Sequence, residues 1–321
     1  MTSILTNPAA MAALQTLRAI NRNLEITQSR ISSGYRVETA ADNAAYWSIA
    51  TTMRSDNSAL DTVHDALGLG AAKVDTFYAG LDTVVEVMSE IKAKLVAAAE
   101  PGVDKDKINS EMAQLKSQLV SAAQSASFSG ENWLYNEAAA AIGTKSVVAS
   151  FNRSADGSVT VSKLDYDTST SVLVDVQDAS RGMLTKAVDA DALDPNTTGT
   201  PREYYLLTVG TAPAGATEIE IDDATTDAEL TDMIRVVDNL IQQLTDSAST
   251  LGAVSSRIEM QESFVANLMD VIDKGVGRLV DADMNEESTR LKALQTQQQL
   301  GIQSLSIANT NSENILRLFQ Q

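Results

Sequence analysis

Apolar residues recur along this chain at alternating steps of three and four, in five separate runs. The first is Leu17, Ile20, Leu24, Thr27 and Ile31, the seam of a helix that packs against another helix. Gly34 follows it, where a helix C-cap is expected because glycine accepts the left-handed conformation. The second run continues without a slip from Ile49 through Met53, Leu60, Val63, Leu67, Val74, Phe77, Leu81, Val84, Met88 and Ile91 to Leu95, and Pro101-Gly102 stops it. At about 1.5 Å per residue that helix is roughly 70 Å long. A third run has Ile108, Met112, Leu115 and Leu119 and ends near "SFSGENWL". The fourth spans Leu230 to Leu279, the polar break "DADMNEES" follows, and the fifth runs from Leu291 and Leu294 through Leu305, Ala308 and Ile315 to Phe319.

Between Lys145 and Asp223 the texture changes. "SVTVSKL", "SVLVDVQ", "REYYLLTVG" and "TEIEID" are β-branched runs separated by turn-rich segments, and they read as strands. Moving inward from either end, the order is the same: a short seam, a polar break, a long seam. Terminal helices with apolar stripes need partners. Pairing the first helix with the last, and the second with the one before last, satisfies both. The expected fold is mainly α: a long antiparallel helical hairpin, or coiled-coil rod, built from the N- and C-terminal parts, with a small β-rich inserted domain.

Composition narrows the function. A net charge of −19 over 321 residues excludes a nucleic-acid partner, since phosphate binding needs concentrated positive charge. The absence of cysteine excludes disulfides and thiolate chemistry. Aromatics are 4 %, so the core rests on Ala, Leu, Ile and Val. No segment approaches the roughly 18 to 20 apolar residues that insertion across a bilayer requires. "MTSILTNPAAMAAL" lacks the basic residues of a cleaved leader, so the expectation is a cytoplasmic chain or one exported without such a leader.

Three stretches carry a resemblance. "ISSGYRVETAADNAAYWSIATTMRSD" resembles the N-terminal region of bacterial flagellins, and "LGAVSSRIEMQESFVANLMDVIDKGVGRLVDADMNEESTRLKALQTQQQLGIQSLSIANTNSENILRLF" resembles their C-terminal region. "INSEMAQLKSQLVSAAQSASFSGENWL" is similar to the stretch that closes the family's N-terminal helical part. "DNAAYWSIATTMRSDN" and "SFSGENWL" are most similar to rhizobial, alphaproteobacterial-type members.

The resemblance implies an extracellular filament subunit of the flagellum, used in swimming, exported unfolded by the type III apparatus and polymerised at the distal tip. It implies residues 1–43 with 281–321 as an inner-tube domain, 44–144 with 224–280 as an outer-tube domain, and 145–223 as a variable surface domain. Leu17, Ile20, Leu24, Ile31, Leu291, Leu294, Leu305, Ala308, Ile315 and Phe319 are the expected terminal-helix and intersubunit packing residues. Gly34, Tyr35, Asp42 and Asn43 are the connector between layers. An export chaperone is implied on Leu305, Ile315, Leu316, Leu318 and Phe319. The other implied partners are further copies, other flagellins, the flagellar cap and hook-associated proteins.

Other candidate chemistry is sparse. His64 has no second histidine to join, so it reads as a surface or inter-helix residue, and the HExxH of a zinc protease is absent. Asp42, Asp281 and Asp283 lie at breaks, where aspartate caps helix N-termini. The acidic "DADALD" and "IDDATTDAE" lack the ligand spacing of a calcium loop. Asn152 and Asn196 match a glycosylation pattern that carries little meaning in a bacterial chain. No enzyme and no cofactor are expected. The alternatives are a hook–filament junction protein, which caps rather than propagates, and an adhesin acting through its insert.

One departure from the family has a consequence. Many flagellins carry an LQRxRELA-like stretch read by an animal innate immune receptor. Here it is "MSEIKAKLVAA", with Met88, Glu90 and Lys92, and Glu90 stands where arginine is expected. Charge reversal at an interface is costly. A cell-reporter assay with purified monomer is expected to give a weak or absent response.

Overall fold

Five helices form where the five runs predict them, and the cause of each boundary is local. The computed structural model describes residues 7–154, 156–194 and 202–319, with side chains described as far as residue 310. Helix α1 (Pro8–Ser33) starts with Asn7, whose side chain accepts from the Ala10 N–H at 3.1 Å, and with Pro8 in the first turn. It stops at Gly34, at φ 77°, whose N–H donates to Arg30 O. Helix α2 (Ala44–Ala98) is 55 residues long and α3 (Lys105–Ser125) is capped by Asp104. Helix α4 (Asp227–Val280) opens on a reciprocal pair: Glu229 accepts from the Thr226 N–H at 2.8 Å, and Thr226 Oγ1 accepts from the Glu229 N–H at 3.3 Å. Helix α5 (Met284–Phe319) is capped by Asp283, which accepts from the Asn285 and Glu286 N–H groups. The chain divides into two compact units, residues 1–58 with 268–321 and residues 59–267.

In the first unit α1 lies antiparallel to α5. Arg30 meets Glu287 at 3.0 Å, Asn21 meets Gln298 at 2.8 Å, and Asn7 donates to Ala308 O at 2.9 Å, so each step forward on α1 is a step back on α5. Gly301 allows the close approach: a Cβ there would sit 3.1 Å from Leu17 Cγ. The start of α2 packs in the same sense on the end of α4, with Asn57 donating to Asp273 at 2.7 Å. Val37, Ala50, Val276 and Val280 form the buried cluster, and Met53, Ile272 and Leu279 pack against it. Ile49, expected to open the second seam, is exposed, and Ala50 takes its place. The smaller side chain lies in line with Met53 and Asn57 and lets the helices approach, so the stripe is one residue out of step there.

In the second unit the long seams meet again. Asp75 accepts from Ser255 Oγ at 2.8 Å, His64 lies 3.6 Å from Glu262, and Lys92 pairs with Asp238. Leu60, Leu67, Val74, Phe77, Leu81, Val84, Met88, Ile91 and Leu95 of α2 are buried, together with Met112 and Leu119 of α3 and Leu230, Leu244, Leu251, Ile258 and Val265 of α4. The start of α4 buries a wider face, including Met233, Val236 and Leu240, because the inserted segment also packs on it. Arg202 of the insert reaches Asp232 at 2.7 Å, and Arg235 reaches Asp194 at 2.7 Å.

That segment is β-containing but less regular than its sequence predicts. Its longest feature is an antiparallel hairpin of β2 (Thr144–Arg153) and β3 (Val159–Asp167). "SVTVSKL" is part of β3, whereas the partner β2 is not among the expected strands. Small sheets join β1 (Tyr135–Asn136) to β4 (Val174–Asp175), and β5 (Val188–Asp189) to β6 (Glu203–Tyr205) and β7 (Thr217–Glu218). "SVLVDVQ", "REYYLLTVG" and "TEIEID" therefore supply only two or three strand residues each. Their apolar residues, such as Leu173, Leu206 and Ile221, are buried without ladder pairing. Trp133 stacks between Phe77 of α2, with centroids 4.5 Å apart, and Tyr166 of β3 at 5.5 Å.

Two glycines of α2 test the packing. A Cβ on Gly80 would lie 2.6 Å from Ala126 Cβ and 2.9 Å from Leu134 Cδ1, while Gly68 faces open space. Gly68→Ala is expected to raise stability by up to about 1 kcal/mol through helix propensity. Gly80→Ala is expected to lower it by about 1–2 kcal/mol net, since overpacking outweighs the same gain. Urea unfolding followed by circular dichroism measures both.

Candidate assembly surface

The two polar breaks are one joint. The Arg36 N–H donates to Val280 O at 2.7 Å, the Val37 N–H to the same oxygen at 3.2 Å, and the Ala282 N–H to Gly34 O at 2.9 Å. Tyr35 and Asp281 form an antiparallel bridge. The Arg36 guanidinium also donates to Leu279 O at 2.9 Å, covering carbonyls that the end of α4 leaves unpaired. Tyr35 stacks under Arg54, whose guanidinium lies 5.1 Å from the ring centroid.

Of the four expected connector residues, Gly34 and Tyr35 lie in this joint. Asn43 is the N-cap of α2, accepting from the Ala45 and Tyr46 N–H groups. Asp42, expected as a helix cap, closes the preceding turn instead, accepting from the Glu38 and Thr39 N–H groups and from the Thr39 hydroxyl. Those Thr39 bonds hold its carboxyl below the usual value, so its contribution is present at neutral pH and is lost only as acid takes the pH down through the lowered value. Asp281 caps no helix N-terminus, because its backbone is in the bridge; Asp283 does cap one. Arg36 and Val280 were not anticipated. No local signal marked them, because Arg36 follows the end of α1 but covers carbonyls at the end of α4, a helix far away in sequence.

The terminal seams meet within the chain. Leu17, Ile20 and Leu294 are buried, and Leu24, Ile31, Leu291, Leu305 and Ala308 are half-buried on the facing sides of α1 and α5. Ile315 and Phe319, with Leu316 and Leu318, belong to the helical span of α5, but their side chains lie outside the described residues. Apolar side chains remain open on the other faces: Met11, Leu14 and Ile26 on α1, and Leu300, Ile302 and Ile307 on α5. Leu300 and Ile307 are seven residues apart, hence on one face, and are 58 % and 65 % exposed.

Charge is divided unevenly. Residues 1–58 and 268–321 hold 10 Lys and Arg against 11 Asp and Glu, a net of −1. Of the chain's 24 basic and 43 acidic residues this leaves 14 and 32 in residues 59–267, a net of −18. Residues 293–312 carry no charge at all. Among the described residues, no group of His, Asp or Glu has the makings of a metal site. No described helix is long and apolar enough to cross a membrane.

The family profile described as the bacterial flagellin N-terminal helical region matches residues 4–139, and that of the bacterial flagellin C-terminal helical region matches residues 234–319. The chain belongs to the bacterial flagellin family. It is 84 % identical to Flagellin C of Rhizobium meliloti strain 1021 over the full length of both chains. Flagellin D of Rhizobium meliloti is 50 % identical and a flagellin of Brucella melitensis 43 %, again with both chains wholly covered. The rhizobial likeness seen in the sequence holds. Flagellins are structural proteins, the filament subunits of the flagellum, and these relatives give no support to the junction-protein alternative.

The structure places the three residues of the stretch "MSEIKAKLVAA" differently. Met88 is fully buried in the helical seam, Lys92 is tied to Asp238, and Glu90 is exposed.

Among the described residues the α1–α5 pair has one ionic tie with little solvent. Glu287 is 5 % exposed and is shared by Arg30 at 3.0 Å and Arg290 at 3.3 Å. Arg30→Ala removes the only cross-helix cation among the described residues that meets that carboxylate and is expected to cost about 1–3 kcal/mol. Thermal melts of the variant and of Arg30→Lys check this, the lysine variant losing less.

Proposed function

We propose that the chain polymerises with further copies of itself, and with other flagellins, through the nearly neutral unit formed by its two ends. The observation that carries this is the charge division combined with apolar side chains left open on α1 and α5. Copies that each carry −18 on residues 59–267 repel one another there. Burial of Leu300, Ile302, Ile307 and their neighbours is favourable, and non-closing contacts propagate a helical polymer rather than a ring.

In this reading residues 1–43 with 281–321 form an inner layer, residues 44–144 with 224–280 an outer layer, and residues 145–223 the solvent-facing surface. The joint at Gly34 and Asp281 is the step between layers. The chain is exported unfolded and added at the distal tip, so it works outside the cell. An export chaperone covers Leu305, Ile315, Leu316, Leu318 and Phe319 until then, and the flagellar cap and hook-associated proteins are its other partners. What supports these details is family likeness together with the open apolar faces.

Seeded polymerisation tests the reading. Purified monomer mixed with sheared filament fragments is expected to grow filaments, seen by light scattering and electron microscopy. Growth is expected to speed up several-fold between about 0.01 M and about 0.15 M salt, as screening weakens the repulsion. Removal of residues 285–321, which takes away the partner of α1, is expected to abolish growth while the long helices α2 and α4 stay helical. Filaments from that truncation, or persistent wild-type monomer, refute the proposal.

A further inference from the structure

The apolar stripe of α2 runs past the end of its partner. Tyr46 and Trp47 precede Ala50 by four and three residues, so they lie on the side of α2 that Ala50 turns toward α4. Ala50 is buried with Val276 and Val280, and Asn57 and Met53 lie against Asp273 and Gly275 further along. The antiparallel pairing therefore reaches the last residue of α4, Val280, before it reaches Tyr46. One turn of α2 overhangs, with Tyr46 42 % and Trp47 38 % exposed, in a chain with only two tryptophans. Ile49, three residues past Tyr46 and hence its neighbour on the helix surface, is 50 % exposed.

We infer that this overhang is a docking surface for a second copy of the chain, with Trp47 as its anchor. The inference rests on the filament reading and adds a specific contact to it. Residues 43–53 carry no charge, and they belong to the unit of net −1. Another copy, carrying −18 on its residues 59–267, meets less repulsion here than on the acidic unit. A nucleic acid or an anionic membrane surface finds no basic patch in these turns. Tryptophan and tyrosine contribute large apolar area at little entropic cost, which is why binding energy concentrates on them.

The two tryptophans make the contact measurable. Trp133 is stacked and 2 % exposed, so its surroundings are complete in the monomer. Trp133→Phe leaves Trp47 as the sole reporter, and its emission is expected to move to shorter wavelength as seeds grow. Should that variant lose helicity, acrylamide quenching of the wild-type chain reads the same event, with the accessible tryptophan becoming protected in the filament. Trp47→Ala is expected to raise the critical concentration for growth at least about tenfold, with monomer helicity unchanged and Trp47→Phe largely restoring growth. Filaments in which Trp47 stays as accessible as in the monomer, or growth of Trp47→Ala at the wild-type critical concentration, overturn the docking surface and leave the filament reading standing. A wild-type chain that does not extend seeds overturns both.

Discussion

No helix of this chain can bury its apolar stripe alone, and everything else follows from how the two halves supply each other with partners. Within residues 1–58 and 268–321, α1 lies against α5 and the start of α2 against the end of α4. Within residues 59–267 the long helices meet again in the same antiparallel sense. Each contact joins residues far apart in sequence, as with Asn7 and Ala308 or Arg30 and Glu287. Such pairing cannot form until most of the chain is present, because the closure entropy of long loops must be met before distant contacts stabilise anything.

The joint between helices has the same logic on a smaller scale. A helix end leaves carbonyls without partners, and here the backbone and guanidinium of Arg36 cover those of Leu279 and Val280. The bond from Ala282 to Gly34 O then ties the second break to the first. Two breaks that look independent along the chain are one hydrogen-bonded element. A step in the path of the N-terminal half is thereby matched by a step in the C-terminal half.

Assembly depends on what this internal pairing leaves over. The terminal seams are used within the chain, so the surfaces proposed to meet a neighbour are the outer faces of α1 and α5 and the turn at Tyr46 and Trp47, where apolar side chains stay exposed. Their setting is electrostatically quiet, while the acidic residues are concentrated in residues 59–267. Hydrophobic attraction is short-ranged and roughly proportional to buried area, whereas like-charge repulsion acts over a Debye length. Separating the two along the chain lets a highly charged, well-hydrated protein self-associate.

Helix number, helix pairing and family were legible in the residues, because a period of three and four over dozens of positions admits few other readings, and because Gly34 and Pro101 mark boundaries by backbone chemistry alone. The inserted segment was less legible. Leu206 and Ile221 are fully buried outside any strand, and local pattern does not separate burial from ladder pairing. The order and character of the helices, the placement of charge and the absence of thiol chemistry were determined by sequence alone, since each is a local or additive property. Whether a seam faces its own chain or a neighbour, whether Ile49 or Ala50 turns inward, and where the stripe of α2 outlasts its partner were decided only by tertiary structure. Those depend on where a distant helix happens to end, and no local stretch of residues carries that length.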